Sequence, residues 1–480
     1  MAHILAIDAG TTGVRAIVFD ESRAVLGSSY RELTTTYPRP AWVEQDPGHV
    51  RDSTLAVIRS ALDAADISGG DLDAIGIANQ RSSICAWDRT TLEPLSPLIN
   101  WQDTRASERA DEMAARGFLC TPGMAISKAE WIVREIAAAG EAAKAGRLAI
   151  GGVESWICAF LGGGVNVTDH ASASTTGFYS HLENDYDDAV LEAFSLERAM
   201  LPELVDSSAI FAHSSEAILG AAVPIGGISG DQQASLFGLG CRDEGQAKCT
   251  FGTAAMIELN SGPNITMGGE GTYPLVGWRA SGTTVWCVEG AVITAGAAVQ
   301  WLRDGLGLLE NIEQSAAVAQ SVADSGGVWA VPAFQGLGTP HGSPQARAEI
   351  CGLSRAASRA HVVRAVLEGV AQRVVDAANT VWLTADPPAS LRADGGASRN
   401  DFLMQRVADF LGIPVERSNE SDGSAVGAAA LAAMSTGISS DGWAGGFVAD
   451  RVFEPSISDD EREALRALWV ERVGRTAAAR

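Results

Sequence analysis

The chain has 480 residues, a hydrophobic fraction of 46% and a charged fraction of 20%; this excludes a mostly disordered protein and leaves room for two or three packed domains. A formal net charge of −24 argues against a nucleic-acid partner, because a phosphate backbone needs positive patches on its reader. It does not exclude a nucleotide ligand, whose charge can be met locally by backbone N–H groups and a divalent cation.

The first predicted element is a hairpin. The runs ILAIDAG and VRAIVFD, within residues 4–20, flank an Asp-Ala-Gly-Thr-Thr-Gly turn. The glycines let backbone amides approach a ligand, the threonines add hydroxyl donors, and Asp8 can hold a hydrated cation. An ordinary hairpin reads the same stretch equally well, since short glycine motifs are common by chance. LGSSYRELTTTYP supplies a third strand. DPGHVRDSTLAVIRSALDAADI has apolar residues at helical spacing after an Asp-Pro start and predicts a helix. LDAIGIANQ then reads as a buried strand ending in polar residues, where open α/β sheets place ligands.

A second hairpin of the same kind lies at 247–260, AKCTFGTAAMIELN, followed by the strand SGTTVWCVEG and a helix pattern over AVITAGAAVQWLRDGL. Two glycine-threonine turns, each opening an α/β half, weigh against the chance reading of the first. The boundary is expected near 235–245. A third glycine cluster, LRADGGASRNDFLMQRVADFLGIPV at 391–415, runs a strand into Gly395-Gly396, with a helix starting near Ser398 to Asp401. That is an anion or nucleotide site, or a helix cap with a tight entry.

The seven cysteines are scattered without a CxxC pair or zinc spacing, and read as small buried hydrophobes in a reducing compartment. The longest apolar helical stretch, AVGAAALAAM at 425–434, is too short to span a bilayer. The first strand begins at once, so no leader is expected, and a cytoplasmic location follows as an expectation.

In order along the chain, DAGTTGVRA, WVEQDP, ANQRSSICAWDRTTLEPL, INWQDTRA, ISGDQQASLFG, TFGTA, AGAAVQWLRD, VPAFQGLGTPHGSPQAR, AHVVRAVLEGVA and DGGASRNDFLMQ resemble the FGGY family of carbohydrate kinases, and its glycerol kinases more than its pentulose kinases. The resemblance implies an α/β fold of two RNase H-like domains, of the actin and hexokinase type, with a ligand cleft between them. Residues 1–238 would form an N-terminal domain with the acceptor site and catalytic base. Residues 239–480 would form a C-terminal nucleotide domain. It further implies domain closure on substrate, ATP and Mg²⁺ as requirements, a small polyol or sugar as acceptor, no membrane insertion, and a homodimer or higher homo-oligomer. The reaction implied is phosphorylation of a terminal hydroxyl, with glycerol giving sn-glycerol 3-phosphate. Another polyol or a ketose is the alternative, and a non-catalytic binding protein on the same fold a remote one.

Residue by residue, the resemblance makes Asp231 the catalytic base, where a lone aspartate after Ser-Gly otherwise reads as a turn residue. Asp8 and Asp231 would hold the metal. Gly10, Thr11, Thr12 and Arg15 on the first hairpin, and Gly252 and Thr253 on the second, would take the β- and γ-phosphates. Arg15 reads equally as a salt-bridge partner. Gly296 and Gln300 match nucleotide-contacting positions, although a helical Gln300 is otherwise an ordinary surface residue. Gly395, Gly396 and Asn400 match the site for α-phosphate, ribose and adenine. The acceptor set is Arg81, Ser82, Trp101, Asp231, Gln232 and Met256. Three positions depart from the glycerol-kinase pattern: Ser82 replaces a carboxylate, Gly123 or a neighbour stands in place of a tyrosine, and Met256 replaces an aromatic. A lost acceptor and lost rings imply a roomier pocket. His341 reads as a loop hydrogen-bonder rather than an acid.

Overall fold

The computed structural model describes residues 2–420, 422–438, 443 and 447–478. The chain forms two compact units. The first comprises Met1–Gly238, Leu275–Val285 and Ser424–Gly446; the second comprises Leu239–Pro274, Trp286–Gly423 and Phe447–Arg480.

In the first unit the strand His3–Ala9 pairs antiparallel with Gly13–Asp20, which pairs antiparallel with Val25–Glu32. On its other side His3–Ala9 runs parallel to Ala74–Asn79, and that strand parallel to Pro224–Gly230. All six residues of Ala74–Asn79 are buried, as expected for a central strand covered on both faces. One face is covered by the helix Pro47–Ala65. Asp46 caps its N-terminus by accepting from the Gly48 amide, and Pro47 pre-sets the first turn. Its apolar stripe Val50, Val57, Ile58, Ala61 and Leu62 joins the core under the sheet. Gly27 is required there: a Cβ would lie 2.4 Å from the Ala61 carbonyl oxygen.

The helix Gly423–Ser435 shows what its small residues are for. A Cβ on Gly76 would lie 2.1 Å from the Ala428 carbonyl oxygen, and one on Gly427 would lie 1.8 Å from that of Ala234. The alanine-glycine run is thus a close-packing surface against the first unit's sheet and the helix Asp231–Gly238. Among the described residues no helix is long and apolar enough to cross a membrane.

The second unit repeats the strand order. Ala247–Phe251 pairs antiparallel with Ala255–Gly262, and that strand antiparallel with Thr283–Val292. Ala247–Phe251 runs parallel to Leu391–Asp394, which runs parallel to Val415–Ser418. The helix Arg359–Val381 buries Val363, Leu367, Val370 and Val374 in this unit's core. The helix expected over AVITAGAAVQWLRDGL is shorter, Gly296–Asp304. Ala291 and Val292 stay in the preceding strand, where a β-branched residue packs well on the pleat.

Candidate active site

In the first unit three parallel strands end together. Ala9 lies opposite Asn79, and Asn79 opposite Gly230. The residues that follow these ends, or sit at them, are Asp8, Gly10, Arg81, Ser82 and Asp231. Functional groups gather at the carboxyl ends of parallel strands because the loops leave the sheet there.

Asp231 opens the helix Asp231–Gly238 directly after the strand Pro224–Gly230. Its carboxylate Oδ1 lies 3.3 Å from Arg81 Nε and accepts from the Gln232 amide at 2.8 Å. The helix N-terminus adds favourable partial positive charge. Gly230 makes room for this pair, since a Cβ there would lie 2.7 Å from both Cγ and Cδ of Arg81. Asp231, Arg81 and Gln232, singled out from sequence, are therefore brought together.

The first hairpin turn is closed by the Gly10 amide donating to the Gly13 carbonyl at 3.0 Å. Thr11 is tied into the acceptor set: the Trp101 indole N–H donates to its hydroxyl at 2.9 Å, and Gln45 Nε2 donates to its carbonyl at 2.7 Å. Gln45 in turn accepts from Gln80 Nε2, and Gln80 Oε1 accepts from Asn100 Nδ2, both at 2.9 Å. Thr12 is exposed, and its carbonyl accepts from the Leu33 amide at 2.9 Å. Arg15 stands opposite Asp8 in register, with its guanidinium over the Tyr30 ring at 5.5 Å. Asp8 Oδ2 accepts from the Ser424 hydroxyl at 2.6 Å.

Ser82 has φ +58°, and its hydroxyl donates to the Thr175 carbonyl at 2.9 Å. Trp101 is 42% exposed. A Cβ on Gly123 would meet only the Trp101 carbonyl, at 3.5 Å. Behind these segments Lys128 is fully buried. Burial pulls its pKa down to about 7 against the opposing influence of Asp103. Glu154, also buried, is pushed up to about 7 by desolvation, while accepting from Asn79 Nδ2 at 2.7 Å and the Thr168 hydroxyl at 2.8 Å. Sequence reasoning did not single out Ser424, Lys128 or Glu154. The one local signal was a lysine among the apolar residues Ala125, Ile126, Ala129 and Ile132 of the helix Ala125–Glu135, whose buried residues also include Ser127 and Glu130.

The second unit brings its own set together. Thr250 lies opposite Asp394, so the turns at Gly252-Thr253 and Gly395-Gly396 leave adjacent strand ends. Gly395 has φ +85°, and a Cβ there would lie 2.6 Å from the Phe251 carbonyl oxygen. The Gly296 amide donates to the Gly252 carbonyl at 3.0 Å, and the Ala295 amide to that of Thr253 at 2.9 Å. A Cβ on Gly296 would lie 2.6 Å from the Gly252 carbonyl oxygen. Gln300 is exposed on the same helix. Asn400 caps the helix Asp401–Leu411, accepting from the Leu403 amide, and donates to the Ser315 hydroxyl at 2.9 Å. Met256 is half-buried opposite Thr250. Beneath these turns Lys248 is fully buried, with Nζ 3.2 Å from Glu258 Oε2. Desolvation would lower its pKa, but Glu258, Asp394 and Glu289 carry it above the ordinary value. His341 lies 3.5 Å from Asp376. Burial would raise that carboxylate, but His341, Arg373 and Arg466 bring it down to about 2.

Within the second unit the two adjacent glycine turns, with their bare backbone, suit a phosphate chain or a flat base lying close to the main chain, and within the first unit the Gly10 turn suits a phosphate. Among the described residues no group of three or more His, Cys, Asp or Glu could hold a metal. The carboxylates Asp8 and Asp231 offer hard oxygen donors instead. That donor set fits Mg²⁺, which is bound through one or two carboxylates, waters and substrate phosphates rather than in a protein cage.

Comparison with known proteins identifies the family. Residues 3–238 match the N-terminal domain model of the FGGY family of carbohydrate kinases, and residues 247–436 match the C-terminal one. The chain is 39% identical to glycerol kinase 2 of Thermotoga maritima, covering 99% of each protein. It is 40% identical to the glycerol kinase of Aromatoleum aromaticum, again covering 99% of each. The crystal structure of Plasmodium falciparum glycerol kinase with ADP superimposes with a TM-score of 0.92 at 26% identity, covering 99% of this chain and 98% of that one. The fold is accordingly the two-domain actin and hexokinase type, and the chain belongs to the FGGY family of carbohydrate kinases.

Proposed function

We propose that this chain transfers the γ-phosphoryl group of ATP to a terminal hydroxyl of a small polyol, with glycerol as the acceptor and sn-glycerol 3-phosphate as the product. The observation that carries this reading is the Asp231 carboxylate at a helix N-terminus, 3.3 Å from the Arg81 guanidinium, in a chain about 40% identical to curated glycerol kinases.

Asp231 accepts the proton of the attacking hydroxyl, which must come within hydrogen-bond reach of the carboxylate. Arg81 orients that carboxylate and, with Gln232, offers hydrogen bonds to acceptor hydroxyls. Trp101 covers the carbon face. The Gly10–Thr12 turn with Arg15, and Gly252-Thr253, position the transferred phosphoryl group by amide and hydroxyl donors. Gly296, Gln300, Gly395, Gly396 and Asn400 hold the remainder of the nucleotide. Mg²⁺, when bound through Asp8 and Asp231, neutralises charge on the phosphate oxygens. The first domain thus carries the acceptor chemistry and the second the nucleotide. A homodimer or higher homo-oligomer and a cytoplasmic location complete the proposal; the scattered cysteines, with no CxxC pair or zinc spacing, support the latter.

A second reading, a longer polyol or a ketose as acceptor, is favoured by the missing side chain at Gly123, where a Cβ would make only an ordinary contact with the Trp101 carbonyl at 3.5 Å, and by the small Ser82 side chain turned onto Thr175. The test is acceptor-dependent ADP release with Mg-ATP over glycerol, erythritol, threitol, xylitol, ribitol, dihydroxyacetone and xylulose. The highest kcat/KM on glycerol supports the first reading. A longer acceptor winning supports the second, and turnover independent of every acceptor removes both.

A further inference from the structure

We infer that Lys128 is a positioning residue of the acceptor pocket, its ammonium tying the Arg81-Ser82, Asn100-Trp101 and Gly123 segments into one wall. Lys128 Nζ donates to the carbonyl oxygens of Ser82 at 3.0 Å, Asn100 at 3.1 Å and Gly123 at 2.9 Å. An ammonium has three N–H donors, and each is spent on a different segment. Those segments carry the residues proposed to contact the acceptor.

Physical chemistry gives the arrangement its consequence. A buried ammonium is retained only where hydrogen bonds repay its desolvation. A buried carbonyl left without a donor is likewise costly. Removing the ammonium therefore takes this donor from the Ser82 and Gly123 carbonyls and leaves the Asn100 carbonyl with the Asp103 amide at 3.0 Å, loosening the three segments together. The effect on this pocket is direct because at two of the bonded positions there is little side chain: Ser82 is short and Gly123 has none. Their contribution to the wall is backbone, and its placement depends on what holds that backbone. Neighbouring bonds continue the same frame, with the Trp101 amide donating to the Ser83 hydroxyl at 3.0 Å.

The pocket's purpose rests on the polyol-kinase reading, but the clamp is measurable without it. The full-length protein is compared with Lys128→Met, which keeps the stem and removes the donors. Lys128→Gln carries the same test where Lys128→Met does not fold. Amide hydrogen exchange is expected to quicken about tenfold in all three segments at once, with the second unit unchanged. KM for the acceptor is expected to rise about tenfold while KM for ATP stays within about twofold. Faster exchange in one segment alone, uniform quickening everywhere, or an unchanged ratio of the two KM values overturns the inference. Loss of fold in both variants also counts against it and makes Lys128 a stability residue only. A wild-type protein that turns over no acceptor removes the proposed function, while the exchange data still decide the clamp.

Discussion

Arg81 Nε and Asp231 Oδ1 stand 3.3 Å apart although 150 positions separate them in the chain. Two parallel strands, Ala74–Asn79 and Pro224–Gly230, make that meeting possible by ending in register. The pair gives Asp231 a fixed orientation and a neighbouring positive charge. Asp231→Asn keeps the shape and removes the carboxylate proposed as base. Its kcat is expected to fall about 10²- to 10⁴-fold, with affinity for metal-free ADP unchanged by calorimetry. Activity within twofold of wild type would show that Asp231 is not the base.

Gly230→Ala acts on the same pair from behind. The added methyl meets Arg81 Cγ and Cδ at 2.7 Å, so the arginine stem must swing away from Asp231. A fall of about tenfold or more in kcat/KM for the acceptor is expected, because small displacements of positioning groups cost rate steeply. Nucleotide binding should be spared.

In the second unit Gly395→Ala is expected to abolish nucleotide binding and to destabilise the protein. The backbone there has φ 85° and ψ 164°, a region only glycine occupies readily, at a cost of about 1–3 kcal/mol for other residues. The new Cβ also meets the Phe251 carbonyl at 2.6 Å. Thermal melts with and without ADP measure both effects. A wild-type ADP shift in this variant would remove the Gly395 turn from the nucleotide site.

Ser424 reaches Asp8 from the far end of the sequence, with 2.6 Å between the oxygens. Groups that orient a metal-binding carboxylate usually cost about 10–100-fold in metal affinity when removed. Ser424→Ala is expected to raise the Mg²⁺ concentration for half-maximal activity by about tenfold, without changing KM for the acceptor. An unchanged Mg²⁺ curve would separate Asp8 from the metal.

How far such features were legible depended on sequence distance. The glycine-threonine turns, Asp231 after Ser-Gly and the Gly395-Gly396 entry are local patterns, which a sequence shows without knowledge of distant partners. Ser424 and Lys128 were not legible, because their meaning lies in partners from other segments. In sequence Lys128 reads as an ordinary surface residue of its helix until its three carbonyls are seen. The helix beginning at Gly296 was drawn too long because small apolar residues fit a helical stripe and a buried strand equally. Ser424 opens a run that reads only as apolar until the close approach to Gly76 shows what that helix packs on.

Glu154 gives a pH signature. Its pKa rises by burial from 4.5 in the unfolded chain to about 7 in the fold. Between those values the folded state holds a proton that the unfolded state has lost. This group's contribution to stability therefore falls as pH rises through that window. Glu154→Gln mimics the protonated form and removes the slope. The stability difference, variant minus wild type, is expected to grow from pH 4.5 to 7 in urea unfolding. Taking the difference matters because His170, pulled down to about 4 by burial and Arg279, contributes the opposite slope. A difference flat with pH would mean Glu154 is ionised in the fold.

The central claim is phosphoryl transfer from ATP to a polyol, with Asp231 as base. The most direct measurement follows label from γ-³²P-ATP into glycerol phosphate, with wild-type and Asp231→Ala protein side by side in Mg²⁺. Labelled sn-glycerol 3-phosphate is expected in stoichiometric step with ADP from the wild type, and almost none from the variant. Label passing only to water, or equal labelling of glycerol by both proteins, would contradict it.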